Sequence, residues 1–145
     1  MEKMEKILVL VTAQKSALRL IEYGFAAAQA CGGELHILHV QRGDSVFESN
    51  DTLRLLQNLV DYGYRRGGVI HLYCEEDVAD CIGAFAEKEG MTQVILGRPP
   101  VREGKKARKK KVDEYDRILA ALPVDMKVIT FPEETEEIQP RRKIG

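Results

Sequence analysis

At 145 residues, 44% hydrophobic and 31% charged with a formal net charge of -1, the chain has the size and composition of one soluble globular domain. No apolar run approaches the ~20 residues that span a bilayer, and Met1 to Lys6 lead into an apolar stretch without a signal-peptide pattern, so the expected location is cytoplasmic. The near-neutral total conceals a polarised chain: eight basic residues against the single acid Glu103 lie between Arg98 and Lys111, a pattern that bears on partners rather than on fold.

In chain order, Ile7-Leu8-Val9-Leu10-Val11 is a continuous, β-branched-rich run of the kind that forms a strand covered on both faces. Leu18, Ile21, Phe25 and Ala28 recur at helical spacing between Ser16 and Cys31, and Gly32-Gly33 stops that helix. Leu35 to Val40 is a second strand. Asp51-Thr52 offers a helix cap, followed by a stripe of Leu53, Leu56, Val60 and Tyr64 before Gly67-Gly68. Val69 to Cys74 is a third strand. Glu76-Asp77 opens a third helix with Val78, Ile82, Phe85 and Ala86 inward and Gly90 as its stop. Val94 to Gly97 is the fourth strand. Val112, Tyr115, Ile118, Leu119 and Leu122 build a fourth helix closed by Pro123, and Met126 to Phe131 is the fifth strand. This alternation predicts an α/β fold with an open parallel five-stranded sheet, right-handed crossovers and helices on both faces. Residues 1–131 form the domain. The charged stretch 132–145, with two prolines, is expected to be a flexible tail.

The fourth strand carries the functional signal. Val94-Ile95-Leu96-Gly97 ends in a glycine and opens into Arg98-Pro99-Pro100 and the basic run that includes Lys105, Lys109, Lys110 and Lys111. Ligands of open α/β sheets bind at the carboxyl ends of the strands, so a cationic segment there points to an anionic ligand. Phosphate binding asks for convergent backbone N–H groups, a helix N-terminus and positive charge. Asp113 reads as the N-cap of the last helix, where its carboxylate would repel a phosphate. Two other readings of the run stay open: a solvated, mobile loop, and a surface for nucleic acid or an acidic partner. No aromatic residue interleaves the run, which counts against base stacking.

Other residues carry less. His36 and His39 are three apart on a strand and so point to opposite faces; they cannot clasp one metal, and core or rim positions are expected for them. Tyr62 and Tyr64 are expected to pack. Cys31, Cys74 and Cys81 are odd in number and lack a C-x-x-C spacing, which fits reduced core or near-core thiols. The chain has no G-x-x-x-x-G-K-[ST] and no G-x-S-x-G. Thr12-Ala13 and Cys74 stand where a receiver domain would need acids. Ser16 fits an N-cap better than a nucleophile, and no base–nucleophile pair presents itself, so an enzyme is not expected.

Three segments resemble the universal stress protein family: Lys6 to Val11 with its following helix, Glu34 to Val40, and Asp77 to Gly90 leading into Val94 to Arg98. Asp116-Arg117-Ile118-Leu119 is similar to the family's last helix. The resemblance spans about residues 6–131 and looks especially like the diverged domains attached to potassium-sensing histidine kinases. It implies a Rossmann-like sheet of order 3-2-1-4-5, a homodimer joined through the Met126 to Phe131 strand, and, in many members, ATP or AMP at the carboxyl ends of the first and fourth strands. Nucleotide-binding members carry an acid after the first strand and G-x2-G-x9-G-[ST] after the fourth. Here Gly97 matches the first glycine, Pro100 takes the second, the final pair falls on Lys110-Lys111 by strict counting or on Val112-Asp113 if the helix ends are aligned, and Thr12 replaces the acid. Proline lacks both the N–H and the open backbone angles of glycine. The expectation is therefore a regulatory or interaction module with a degenerate nucleotide or anion site built from Gly97, Arg98 and the lysine run, with Thr12 and Ala13 on the adenine side. The alternative is a working ATP or AMP binder.

Overall fold

Ile7, Leu8 and Val9 expose no surface to solvent, because the first strand lies at the centre of a sheet covered on both sides. In the computed structural model, residues 4–12, 16–42, 50–97 and 114–131 are described. They run β1 (Lys6–Leu10), α1 (Ala17–Cys31), β2 (Glu34–Gln41), α2 (Asn50–Arg65), β3 (Val69–Cys74), α3 (Val78–Glu89), β4 (Gln93–Gly97), α4 (Glu114–Ala121) and β5 (Lys127–Phe131). All pairings are parallel, and the order is β3-β2-β1-β4-β5, as the resemblance implied. The chain reverses direction across the sheet between β1 and β4, where Leu8 pairs with Val94 and Val9 with Ile95.

Alternation along the strands divides the core. Ile7, Val9, Leu35, Ile37 and Ile95 pack beneath α1 and α2, whereas Leu8, Leu38 and Val94 pack against Ile82, Phe85 and Ala86 of α3 and Leu122 after α4. Each such side chain contributes about 1.5–3 kcal/mol on full burial. The predicted glycine stops hold. Gly32 and Gly90 adopt left-handed φ values of 65° and 68°, a conformation that is cheap only without a Cβ. At the start of α3, the Asp77 carboxylate accepts from the Asp80 backbone N–H at 3.0 Å, satisfying one of the helix's unpaired donors.

Several local readings change. Helix α2 begins at Asn50, ahead of the expected Asp51-Thr52 cap. Its buried leucines are Leu56 and Leu59, while Tyr64 is 73% exposed; Leu59 stands three residues after Leu56, so the inward stripe is rotated from the one traced through Val60 and Tyr64. Ser16 occupies the N-cap position of α1, but with helical dihedrals and no side-chain capping bond. Cys31 is exposed rather than near the core, and Cys74 and Cys81 are half-buried; all three are free. Tyr62 packs as expected: its hydroxyl donates to Glu22, and Arg66 joins them from 2.6 Å while lying over the Tyr62 ring. That cluster fastens α2 to α1. Ala13, Arg98, Lys105, Lys109, Lys110, Lys111, Asp113 and the 132–145 tail lie outside the described residues.

Candidate functional site

At the carboxyl ends of the strands, the reversal between β1 and β4 leaves the crevice that such topology dictates. A cavity of about 650 Å³ occupies it, within the ~300–1,000 Å³ span of small-molecule sites. Its floor is apolar: Leu10 and Val11 at the end of β1, Leu38 and Val40 from β2, and Leu96 from β4. Ala17 and Leu20 of α1 form one wall, and Val78, Ile82 and Ile118 of α3 and α4 form the other. Phe131, at the end of β5, completes it.

Two of the expected site residues meet here. Thr12 follows β1, Gly97 ends β4, and both are exposed and border the cavity. Gly97 leaves space: a Cβ on it would lie 3.6 Å from Leu20 and 3.8 Å from the Phe131 carbonyl, ordinary contact distances. The exit of β1 is held from beneath. The Val11 N–H donates to the Leu38 carbonyl at 3.0 Å, and the His39 Nδ1–H donates to the Val11 carbonyl at 2.9 Å. His39 Nε2 lies 3.0 Å from the Gln41 side-chain amide. His39, 6% exposed, is thus a core histidine that fixes the backbone leading into Thr12.

The charged rim was not read from the sequence. Arg19, Arg42 and Glu114 border the cavity with Gln41 and Tyr115. Arg42 stands directly after β2 and donates to the Glu76 carbonyl at 2.7 Å and to the Glu114 carboxylate at 2.6 Å. It links the exit of β2, the approach to α3 and the first turn of α4. The same carboxyl-end rule that drew attention to Gly97 could have found Arg42, had β2 been followed two residues past its apolar run. Glu114 and Asp116 in the first turn of α4 suit the positive end of its helix dipole.

On the α3 side of the sheet, His36 and His71 form a pair that sequence separation concealed. His36 Nδ1 lies 3.1 Å from His71 Nε2, and His36 Nε2 lies 2.9 Å from the Glu34 carboxylate. The carboxylate accepts, so His36 donates from Nε2; in the tautomer that leaves Nδ1 bare, that nitrogen accepts from the His71 Nε2–H. Burial, and then the neighbouring His36 charge, hold the His71 pKa below the usual histidine range; Glu89 opposes them. The hydrogen bond from His36 lowers the Glu34 pKa. Burial, with Glu75 and Asp80, pushes the Cys81 thiol up, away from a reactive thiolate. Among the described residues, no group of three or more His, Cys, Asp or Glu is placed to hold a metal ion. No described helix is long and apolar enough to cross a membrane.

The model of the universal stress protein family matches residues 3–126. Among solved structures, a universal stress protein from Archaeoglobus fulgidus is similar at 20% identity and TM-score 0.61, over 87% of this chain and 92% of that one. A universal stress protein from Archaeoglobus fulgidus in complex with dAMP is 19% identical at TM-score 0.58, covering 90% and 98%. A putative universal stress protein from Pseudomonas aeruginosa UCBPP-PA14 is 15% identical at TM-score 0.65, covering 97% of this chain and 51% of that one. No curated protein sequence matches significantly. At these identities the solved structures speak for the fold.

Proposed function

Since the chain belongs to the universal stress protein family, we propose that it is a non-catalytic regulatory module that binds a small phosphorylated ligand of the adenine-nucleotide class in the cavity at the β1–β4 reversal. The observation that carries this reading is the cavity itself. About 650 Å³ of space with an apolar floor and cationic groups on the rim has the make-up of a pocket that buries a flat heterocycle and leaves its anionic end near solvent. The similar Archaeoglobus protein in complex with dAMP lends the ligand class. Thr12 and Gly97 both border the cavity; in this reading Thr12 belongs to the adenine side and Gly97 to the anionic side. Ala13, Arg98, Lys105, Lys109, Lys110 and Lys111 follow these two residues in sequence, and in this reading the lysines add positive potential that draws anions towards the crevice.

We further propose that two copies associate through β5, in the cytoplasm. β5 ends the sheet, and an edge strand offers unpaired backbone groups to a twin; Val128 on it is 41% exposed.

Titration calorimetry of the purified chain with AMP, ATP and cyclic dinucleotides, at low and physiological salt, tests the ligand reading. Saturable one-to-one binding that persists at physiological salt is expected from a shaped pocket. Binding that disappears with salt, or none, would reduce the basic run to a charged surface and overturn the reading.

A further inference from the structure

Among the described residues, the cavity has one guanidinium fixed by bonds from two directions, and one of its partners is a carboxylate on the same rim. Arg42 donates Nη1 to the Glu76 carbonyl and Nη2 to the Glu114 carboxylate. Arg42 and Glu114 both border the cavity, and their side chains are 53% and 36% exposed, so water and a ligand can reach the pair. A guanidinium carries five N–H donors in a planar fork that matches carboxylate and phosphate equally well. The two bonds take one donor each. Arg19, the other described cation on the rim, makes no side-chain hydrogen bond among the described residues and is not pre-positioned in this way.

We propose that Arg42 is the anion-recognising residue of this cavity, and that the Glu114 carboxylate occupies it as a built-in competitor until a phosphomonoester takes its place. The inference rests on the ligand reading above and adds to it which end of the ligand is sensed, and by what. Glu76 supplies a neutral carbonyl and keeps its bond during the exchange, so the guanidinium stays anchored while its Nη2 changes partner. Glu114, released, returns to water at the first turn of α4, where the helix dipole still favours its charge. Exchange of one exposed charge-assisted bond for another costs little, and the phosphate, with more acceptor oxygens and more charge, wins. A neutral nucleoside gains nothing from Arg42. The site thereby distinguishes phosphorylated from unphosphorylated forms of one ligand.

The experiment is calorimetry of the full chain with adenosine, AMP and inorganic phosphate at one fixed salt concentration, on the wild type and on Arg42→Gln, Arg42→Lys, Glu114→Gln and Arg19→Gln. The wild type is expected to bind AMP about tenfold or more tighter than adenosine, the equivalent of one charge-assisted hydrogen bond. Arg42→Gln should bring that ratio close to one while leaving adenosine binding intact, and Arg42→Lys should restore only part of it, since an ammonium lacks the fork. Glu114→Gln should tighten AMP several-fold without altering adenosine. Arg42→Gln and Glu114→Gln break an exposed ion pair, Arg42→Gln loses in addition the exposed bond to the Glu76 carbonyl, and Arg19→Gln breaks no side-chain bond among the described residues, so circular dichroism and the thermal midpoint should stay near wild type. A ratio unmoved by Arg42→Gln, a collapse caused by Arg19→Gln instead, or weaker AMP binding in Glu114→Gln overturns the proposal. A wild type that binds adenosine and AMP equally overturns it while leaving the cavity reading intact; a wild type that binds neither overturns both.

Discussion

Gly83 of α3 and Ala121 of α4 approach so closely that a Cβ on the glycine would lie 2.4 Å from the Ala121 carbonyl oxygen. The obstacle is backbone, which cannot rotate aside as a side chain can. Helix α4 has no fully buried residue of its own and rests on this contact together with the half-buried Ile118 and Leu119. Its other end carries Glu114 and Tyr115 to the cavity. Gly83→Ala is therefore expected to push α4 outward, lower stability by about 1–3 kcal/mol as overpacking does, and weaken ligand binding. Urea unfolding monitored by circular dichroism measures the first effect; an unchanged midpoint would contradict so close a packing of the two helices.

Gly97 should behave in the opposite way. Its hypothetical Cβ meets Leu20 and the Phe131 carbonyl only at 3.6 and 3.8 Å, and its φ is not among the positive ones. Gly97→Ala is expected to fold with a stability within about 0.5 kcal/mol of wild type, as an exposed site without strain allows. Gly97→Val, with two more carbons directed into the crevice, should keep the fold and abolish nucleotide binding in calorimetry. Retained affinity in a folded Gly97→Val protein would remove Gly97 from the site.

What the sequence made legible follows from the range over which each determinant acts. The runs Ile7 to Val11 and Val94 to Gly97, and the stops at Gly32 and Gly90, are local signals; the strands lie within one residue of where they were read, at Lys6–Leu10 and Gln93–Gly97, and the stops stand where they were read. A stripe depends on phase, and in α2 the phase was set by Leu59 meeting the β2 face rather than by Tyr64 reaching it. The site divided in the same manner. Thr12 and Gly97 were found because they end strands whose order the resemblance supplied. Arg42 and Glu114 lie 72 residues apart and meet only because β2 and α4 deliver them to one rim. His36 and His71 are a second instance, 35 residues apart and joined by the pairing of β2 with β3.

That histidine pair makes stability depend on pH. The groups facing His71 are His36, with Glu34 behind it, and Glu89, with Phe85 against its ring. With its folded pKa lowered from an unfolded value of about 6.5, His71 binds more protons in the unfolded chain than in the native one. Stability from this group is then fully present above about pH 6.5 and is lost as pH falls through the lowered native value. The lowered Glu34 pKa acts in the same sense in a more acidic window. Urea midpoints should fall between pH 7.5 and 5.5, and His71→Gln, which keeps an N–H donor for His36 but does not titrate, should flatten that slope. An equal slope in the variant would place the titration elsewhere.

The β5 edge gives the sharpest test of association. In register, Val128 pairs with Val94 and Ile129 with Ile95, so one side of β5 is bonded into the sheet while its other side ends it. Val128 is 41% exposed, whereas its partner Val94 is fully buried. An apolar, β-branched side chain on the edge strand of the described sheet invites a second copy, and a lysine at such a position deters one. Val128→Lys is expected to convert a dimer into a monomer in sedimentation velocity. Because Val128 already reaches solvent, the circular dichroism of the variant should stay native. A wild type that sediments as a monomer would refute pairing through β5, and a dimer that survives Val128→Lys would move the interface to another surface, with the exposed Leu72 and Tyr73 of the opposite edge strand the next residues to change.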